Sequence, residues 1–342
     1  MTAPSDSSRP AVALVMVSWN SWRHTIECLD SVFGQAWPGF HVFIVDNASA
    51  DGSVEQIAAW CAQPRAEASW VRHEGVARST HRAEPAPIGT RVLDRPEGLV
   101  PPAPPGCRVT LIHSGGNLGY AGGCNVAIRA AGLDAFDYFW FLNTDTVVDR
   151  HALTSLLKRA ERDARIGMVG STVRYYDRPH IVQAMGGAHA DFSRGLSRHI
   201  GEGLSIDAVP ADASVIERKL TYIFGASMLV SSRFVRDVGP MQDDYFLYYE
   251  EIDWTLRGRD RFTLAYAADS HIFHKSGATS SRVKPSFTTR LYYRNRIRFM
   301  SRFFPQYLAN AKRRMFNELL YFALKGQWGY ARIIASVLWS RS

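Results

Sequence analysis

Three neighbouring stretches decide the fold: RVTLIHS (108–114), GGNLGYAGGCNVAIRAAG (115–132) and YFWFLNTD (138–145). The first is a short apolar run rich in β-branched residues, as a buried parallel strand requires. The second is a Gly-rich turn running into a helix, and the third is another buried strand that ends in Asn143 and Asp145. The same unit is legible upstream. AVALVMVSW (11–19) leads into TIECLDSVFGQ, whose apolar positions fall at helical spacing, and HVFIVDN (41–47) leads into SADGSVEQIAAWCAQ, which Ser or Asp can cap. Downstream, DRHALTSLLKRAERD reads as a helix, GMVGSTVRYY as a fifth strand, KLTYIFGASMLVS as strand-like and FTLAYAADSHIFHKSG (262–277) as one more strand with a polar turn. Alternation at this spacing predicts an α/β fold, a mainly parallel central sheet flanked by helices, with ligands bound outside the C-terminal strand ends.

Composition narrows the class. The chain has 342 residues, 46% hydrophobic and 21% charged, which excludes wholesale disorder and fibrous structure. Its four Cys lack any CxxC spacing, so neither a disulfide framework nor a zinc site is expected. With no run of about 18 apolar residues and no apolar leader in MTAPSDSSRP, the expectation is a cytoplasmic protein without a membrane span. Charge is uneven: residues 282–342 carry 13 Lys and Arg against the single acid Glu318, and the rest is mildly acidic. In that tail the basic residues alternate with large apolar ones at helical length. An anionic membrane surface or a helix packed on the domain fits that mixture better than nucleic acid, for which no motif is present.

The division expected is a flexible segment 1–10, a catalytic domain 11–281 and a basic, amphipathic helical region 282–342. Within the domain, one half runs to about 150 and a second half follows to 281. The strand–helix rhythm fails over 65–106, where seven Pro fall between Pro85 and Pro105, so this reads as an inserted loop. The Gly-rich AMGGAHADFSRGLSRHIGEG reads as a hairpin or flap, and closure of flap and insertion over a donor is the expectation.

Side chains able to do chemistry collect at the strand ends: Ser18 and Asn20, Asp46 and Asn47, Asn117, then Asn143 and Asp145. Asp and Asn often cap helices and shape turns, but four successive strand ends bearing such groups point to one functional rim. NTD at 143–145 resembles the DxD element by which sugar-nucleotide enzymes hold a divalent cation, with Asp145 as the principal carboxylate. Mg²⁺ or Mn²⁺ suits hard oxygen ligands and neutralises a departing diphosphate. Glu250, Glu251 and Asp253 in YYEEIDW form an acidic cluster among aromatic residues, where apolar surroundings and like charge raise a carboxyl pKa toward that of a general base. Spacing puts Glu250 and Asp253 on one helix face and Glu251 elsewhere. His271 and His274 are a further pair, on opposite faces of an extended segment.

Together VSWNSWRHTIECLDSV, IVDNASADGS, GGNLGYAGGCNVAI, FLNTDTVVD, FGASMLV, FLYYEEIDWTLR, HKSGATSS and LYYRNRIRFMSRFFP occur in an order that resembles family 2 glycosyltransferases. They are most similar to the bacterial rhamnosyltransferase branch that builds O-antigen and other cell-surface polysaccharides. The resemblance spans about residues 11–305 apart from the insertion. It implies a GT-A fold, a nucleotide-sugar donor (dTDP-rhamnose first, a UDP- or GDP-sugar otherwise), Mg²⁺ or Mn²⁺, and inversion by direct displacement. It further implies that Asp46 binds the donor base and that Ser18, Asn20 and Asn47 line the nucleotide pocket. Asn117, Gly119 and Asn143 would face the ribose and diphosphate, and Asp145 would bind metal with His274. Glu251 stands where the family's Glu-Asp-x-Asp element carries its base, with Glu where the family has Asp. Glu250, Asp253 and Trp254 would shape the acceptor pocket. The acceptor implied is a glycan or a polyprenyl-diphosphate-linked glycan, met by a protein peripheral to the inner face of the bacterial cytoplasmic membrane. A processive synthase would need membrane helices and QxxRW, and a nucleotidyltransferase a basic Gly-rich loop where SWNSWRH stands. A degenerate fold that only binds nucleotide sugar is the remaining rival.

Overall fold

A computed structural model describes residues 9–63, 70–80, 86–276 and 285–340. The expected flexible start therefore lies outside the described residues up to position 8, as do 277–281 of the HKSGATSS motif. In chain order the first half holds β1 (Val12–Ser18), α1 (Trp22–Val32), β2 (Phe40–Asp46), α2 (Ser53–Ala62), α3 (Glu74–Ala77), β3 (Gly89–Asp94), β4 (Cys107–His113), α4 (Gly119–Ala131), β5 (Tyr138–Leu142), β6 (Thr146–Val148) and α5 (Ala152–Ala160). There follow β7 (Ile166–Tyr175), β8 (Val182–Met185), β9 (Gly187–Asp191), β10 (Leu196–His199), α6 (Ser214–Glu217), β11 (Tyr222–Ile223), β12 (Ser227–Ser231), α7 (Ser232–Val238), α8 (Glu250–Gly258) and β13 (Thr263–His274). Three C-terminal helices close the chain: α9 (Pro285–Phe303), α10 (Leu308–Leu324) and α11 (Trp328–Leu338).

The central sheet runs β3-β4-β2-β1-β5-β12-β7-β13-β6, with β8 paired to β7. β1 through β5 pair in parallel, as the strand–helix alternation demands, while β12 enters antiparallel between β5 and β7. Strand alternation divides two cores. Leu14, Met16, Val42, Ile44 and Trp140 face α1, α2 and α5; Ala13, Val15, Phe43, Val45, Phe139 and Phe141 face α4, α7 and α8. Apolar on both faces, these strands read as continuous hydrophobic runs, and each large side chain so buried stabilises by about 1.5–3 kcal/mol.

Two expectations need correction. The 65–106 stretch is more than a loop, because 89–94 pairs with β4 and extends the sheet by an edge strand. Its Pro residues fall on either side of that strand, where no ladder N–H is needed. KLTYIFGASMLVS is not one strand: Tyr222 and Ile223 join a small sheet with β9 and β10, whereas Ser227–Ser231 enters the central one. The basic tail is helical, as its periodicity demands. α9 packs on the domain through Phe299 and Met300, against Tyr222, Tyr245 and Ile252. α10 and α11 pack on α9 around Tyr293, Met315, Ile334 and Val337. Among the described residues, no helix is long and apolar enough to cross a membrane.

Candidate active site

Register brings the strand ends together. Ser18 lies opposite Asp46, and Asp46 opposite His113, so β1, β2 and β4 finish on one rim. Asn20 clamps the first two ends: its N–H donates to Ser49 Oγ and its Oδ1 accepts from the Ala50 N–H, each at 2.8 Å. Asp46 Oδ2 accepts the Ser49 N–H at 3.0 Å, and Oδ1 is buried without a partner among the described residues. Asn47 Nδ2 donates to Gly119 O at 2.8 Å, which leaves its Oδ1 in the same unpartnered state. A buried acceptor left so costs about 1–3 kcal/mol, which a ligand N–H would recover.

The Gly-rich turn is shaped by close approach. Gly119 has φ +72°, and a Cβ there would lie 2.2 Å from Phe246 O. Asn117 Oδ1 accepts the Gly119 N–H at 3.1 Å, so the turn presents its backbone at the mouth of α4. Beside it the segment after β5 carries Asn143 and Asp145. Asp145 Oδ1 lies 3.3 Å from His274 Nε2, at the end of β13. The other ring nitrogen, Nδ1, is 2.9 Å from Gln183 Oε1, which fixes the orientation of the ring. Burial pushes the Asp145 carboxyl up, but the hydrogen bond and charge of His274 outweigh it and hold the group below its ordinary value.

A cavity of about 290 Å³ opens in front of these groups. Asn47, Asn117, Gly119, Asn143, Asp145 and His274 line it together with Phe246, Tyr248, Glu250 and Glu251. A second cavity, of about 400 Å³, adjoins it between the β9–β10 hairpin and α9. Phe224, Tyr248 and Glu251 line both, so Glu251 stands at the junction. Burial pushes its carboxyl up to about 7. Glu250, more deeply buried, is pushed up by burial and then by the charge of Glu251. Of the two carboxyls, Glu251 is the one that opens onto both cavities and is placed to exchange a proton with a ligand.

Several expected residues lie elsewhere. Ser18 is fully buried behind the wall, bonded to Ser21 and Thr25, and Asn20 serves the turn rather than the cavity. Asp46 stands just outside the lining. Asp253 is not on the acceptor side: it is 0% exposed, with Oδ1 bound by Arg257 at 2.7 Å and Oδ2 by Arg302 at 2.9 Å. Trp254 belongs to the core, edge-on to Phe141 and Phe234. Helical spacing alone would pair Glu250 with Asp253; instead Glu250 and Glu251, the first two residues of α8, both line the cavity, and Asp253 is held by Arg257 and Arg302. The hairpin, expected over the donor, covers the second cavity instead, through Phe192, Leu196 and His199. Sequence reasoning missed the aromatic walls, Phe192, Tyr222, Phe224, Tyr248 and Tyr292. Only the clustering of aromatics around YYEE and LYYRN hinted at them.

Among the described residues no three His, Cys, Asp or Glu side chains gather as a cage for a metal; Asp145 and His274 are a pair.

Comparison with known proteins bears on this arrangement. Residues 13–76 and 101–203 match the model of "Glycosyl transferase family 2", and the match breaks across the stretch that contains β3. A curated relative, the "Low-salt glycan biosynthesis hexosyltransferase Agl10" of Haloferax volcanii, is 25% identical over 191 residues. That alignment covers 54% of this chain, which spans 58% of the relative's length. Among solved structures, "Mannosyltransferase PcManGT from Pyrobaculum calidifontis in complex with GDP-Man and Mn2+" superposes with a TM-score of 0.54 at 15% identity, over 99% of this chain and 90% of that one. On either side of the insertion the chain is thus similar to family 2 glycosyltransferases, and along its whole length it shares the α/β architecture of the GT-A fold.

Proposed function

We propose that the chain transfers a hexose from a nucleotide sugar to a glycan acceptor by a single inverting displacement. One observation carries this reading: Asp145 and Glu251 line the same cavity, and Glu251 also lines the next. The donor occupies the smaller cavity, its nucleotide on the strand-end rim, with Asp46 and Asn47 offering unpartnered acceptors to the base. The acceptor sugar lies in the larger, aromatic cavity, where flat rings suit the apolar face of a pyranose. Glu251 takes the proton of the acceptor hydroxyl as that oxygen bonds to the anomeric carbon. The bond from that carbon to the diphosphate breaks on the opposite side, and its electron pair leaves with the phosphate.

Asp145 and the Nε2 of His274 fit a divalent cation. A carboxylate and an oriented imidazole supply two ligands, and such ions complete their shell with water and substrate phosphate. When bound there, Mn²⁺ or Mg²⁺ supplies positive charge to the departing diphosphate. The donor proposed is dTDP-rhamnose, with UDP- and GDP-sugars as alternatives, and the acceptor a glycan carried on a polyprenyl diphosphate. A thermal-shift screen of dTDP-, UDP- and GDP-sugars with each cation tests this, followed by turnover of wild type and Glu251→Gln. The variant is expected to keep the donor-induced shift and lose turnover. Donor binding without turnover in the wild type would leave a nucleotide-sugar-binding protein.

We further propose peripheral attachment to the inner face of a cytoplasmic membrane through α10 and α11. Their outer surface exposes Tyr321, Leu324, Trp328 and Trp339 together with Lys312, Arg313, Lys325 and Arg332. The only acid of the region, Glu318, is spent on Arg296 and Arg314 inside the bundle. Apolar side chains beside cations, with no exposed carboxylate, complement an anionic lipid surface.

A further inference from the structure

We infer that Asn295, on α9, is a positioning residue for Glu251: its amide holds the left-handed turn that aims the carboxylate at the junction of the two cavities. This rests on the reading of Glu251 as the base. The segment between Asp243 and Tyr249 carries three side-chain-bearing residues in the left-handed region, Phe246 at φ 63°, Tyr248 at 70° and Tyr249 at 79°. L-residues occupy that region at a cost, so something outside the segment must hold it. Tyr249 is the last residue before α8, so its backbone sets where the helix starts and where Glu250 and Glu251 point.

Asn295 meets that need. It is fully buried, and its Nδ2 donates to Tyr245 O and Leu247 O at 2.8 Å and to Tyr248 O at 3.1 Å. Its Oδ1 has no partner among the described residues, so the amide orientation is dictated by the three carbonyls. The opposite side of the turn is tied to the donor side, where the Tyr120 N–H donates to Phe246 O at 2.7 Å. The turn is thus fixed between the Gly-rich start of α4 and a residue from the basic tail. The tail thereby enters the active site without itself supplying a reacting group.

The test compares wild type with Asn295→Ala and Asn295→Ser, the latter keeping one donor. Two quantities are read: the acid limb of kcat/KM against pH, and the carboxyl titration of Glu251 by NMR of protein labelled with ¹³C at Glu, assigned with Glu251→Gln. The titratable and charged groups around Glu251 are Glu250, Tyr120, Tyr222, Tyr248 and Tyr249, Arg198, His199 and Glu202 at the hairpin, Tyr292 and Arg296 of α9, and Asp145 and His274 in the first cavity's lining, all unchanged in the variants. Asn295→Ala is expected to lower kcat at least tenfold and to shift both the limb and the NMR titration from about 7 toward the ordinary range. Nucleotide-induced thermal shift should be retained, and Asn295→Ser should be intermediate. Arg302→Gln, which loosens α9 from Asp253 without touching the turn, should lose thermal stability and leave the titration in place. An unchanged titration in Asn295→Ala, or in Asn295→Ser alone should the first variant fail to fold, overturns the inference. Absence of turnover in the wild type would instead defeat the glycosyltransferase reading, and the NMR titration would still decide the role of Asn295.

Discussion

Two adjacent carboxyls at the start of α8 do different work because their surroundings differ. Glu250 is 4% exposed and Glu251 opens onto both cavities. With Glu251 pushed up to about 7, kcat/KM should fall tenfold per unit as pH drops below that value, a profile that initial rates between pH 5 and 9 would trace. The same shift has a stability consequence of definite sign. A carboxyl that holds its proton more tightly when folded favours the native state below its ordinary value of 4.5, and that contribution is lost as pH rises toward 7. Tm should therefore decline across that window in the wild type and decline less in Glu250→Gln, which removes the more deeply buried charge. A Glu250→Gln curve parallel to wild type would contradict this assignment.

At the scale of elements, the turn before α8 and the Gly-rich entry to α4 are one contact seen from two sides. Gly119→Ala would place a methyl group 2.2 Å from Phe246 O in a backbone conformation that L-residues avoid. It should cost about 1–3 kcal/mol in denaturant unfolding and weaken nucleotide binding. Asp253 ties α8 to α9 through Arg302 and to its own helix through Arg257. Asp253→Asn should cost about 1–3 kcal/mol while leaving the donor-induced thermal shift intact, since Asp253 lines neither cavity. In the proposed reading the β9–β10 hairpin serves the acceptor. Phe192→Ala, which removes a ring stacked on Phe304 at the wall of the larger cavity, should raise the acceptor KM several-fold with the donor KM unchanged.

For the whole molecule, the C-terminal helices have two faces with separate tasks. The inner face builds the larger cavity through Tyr292, Arg296, Phe299 and Met300, and the outer face carries apolar and basic groups into solvent. Leu324 is 89% exposed and Trp328 60%, so replacing both by Glu should leave folding intact. The same change should abolish flotation with anionic liposomes. Equal recovery on neutral lipid, or at high salt, would remove the electrostatic part of the membrane proposal.

Periodicity determined the frame. Apolar runs such as AVALVMVSW and HVFIVDN have nowhere to bury both faces except a parallel sheet between helices, so the parallel run of β1, β2, β4 and β5 was legible locally, while their order in the sheet was set by pairing. The rim with Asn47, Asn117, Asn143 and Asp145 followed, because residues after parallel strands converge by construction. Resemblance marked Glu251 and His274, but their partnership with the rim was a matter of coordinates. Spacing along α8 could not distinguish an acid facing a cavity from one facing an arginine, so Asp253 was misplaced. That choice is made by Arg302, 49 residues away in sequence. Aromatic walls, the edge strand at 89–94 and the clasp of Asn295 on a left-handed turn are likewise long-range events. A string records which groups a chain owns; only packing decides which of them share a desolvated space, where pKa values move and chemistry becomes available.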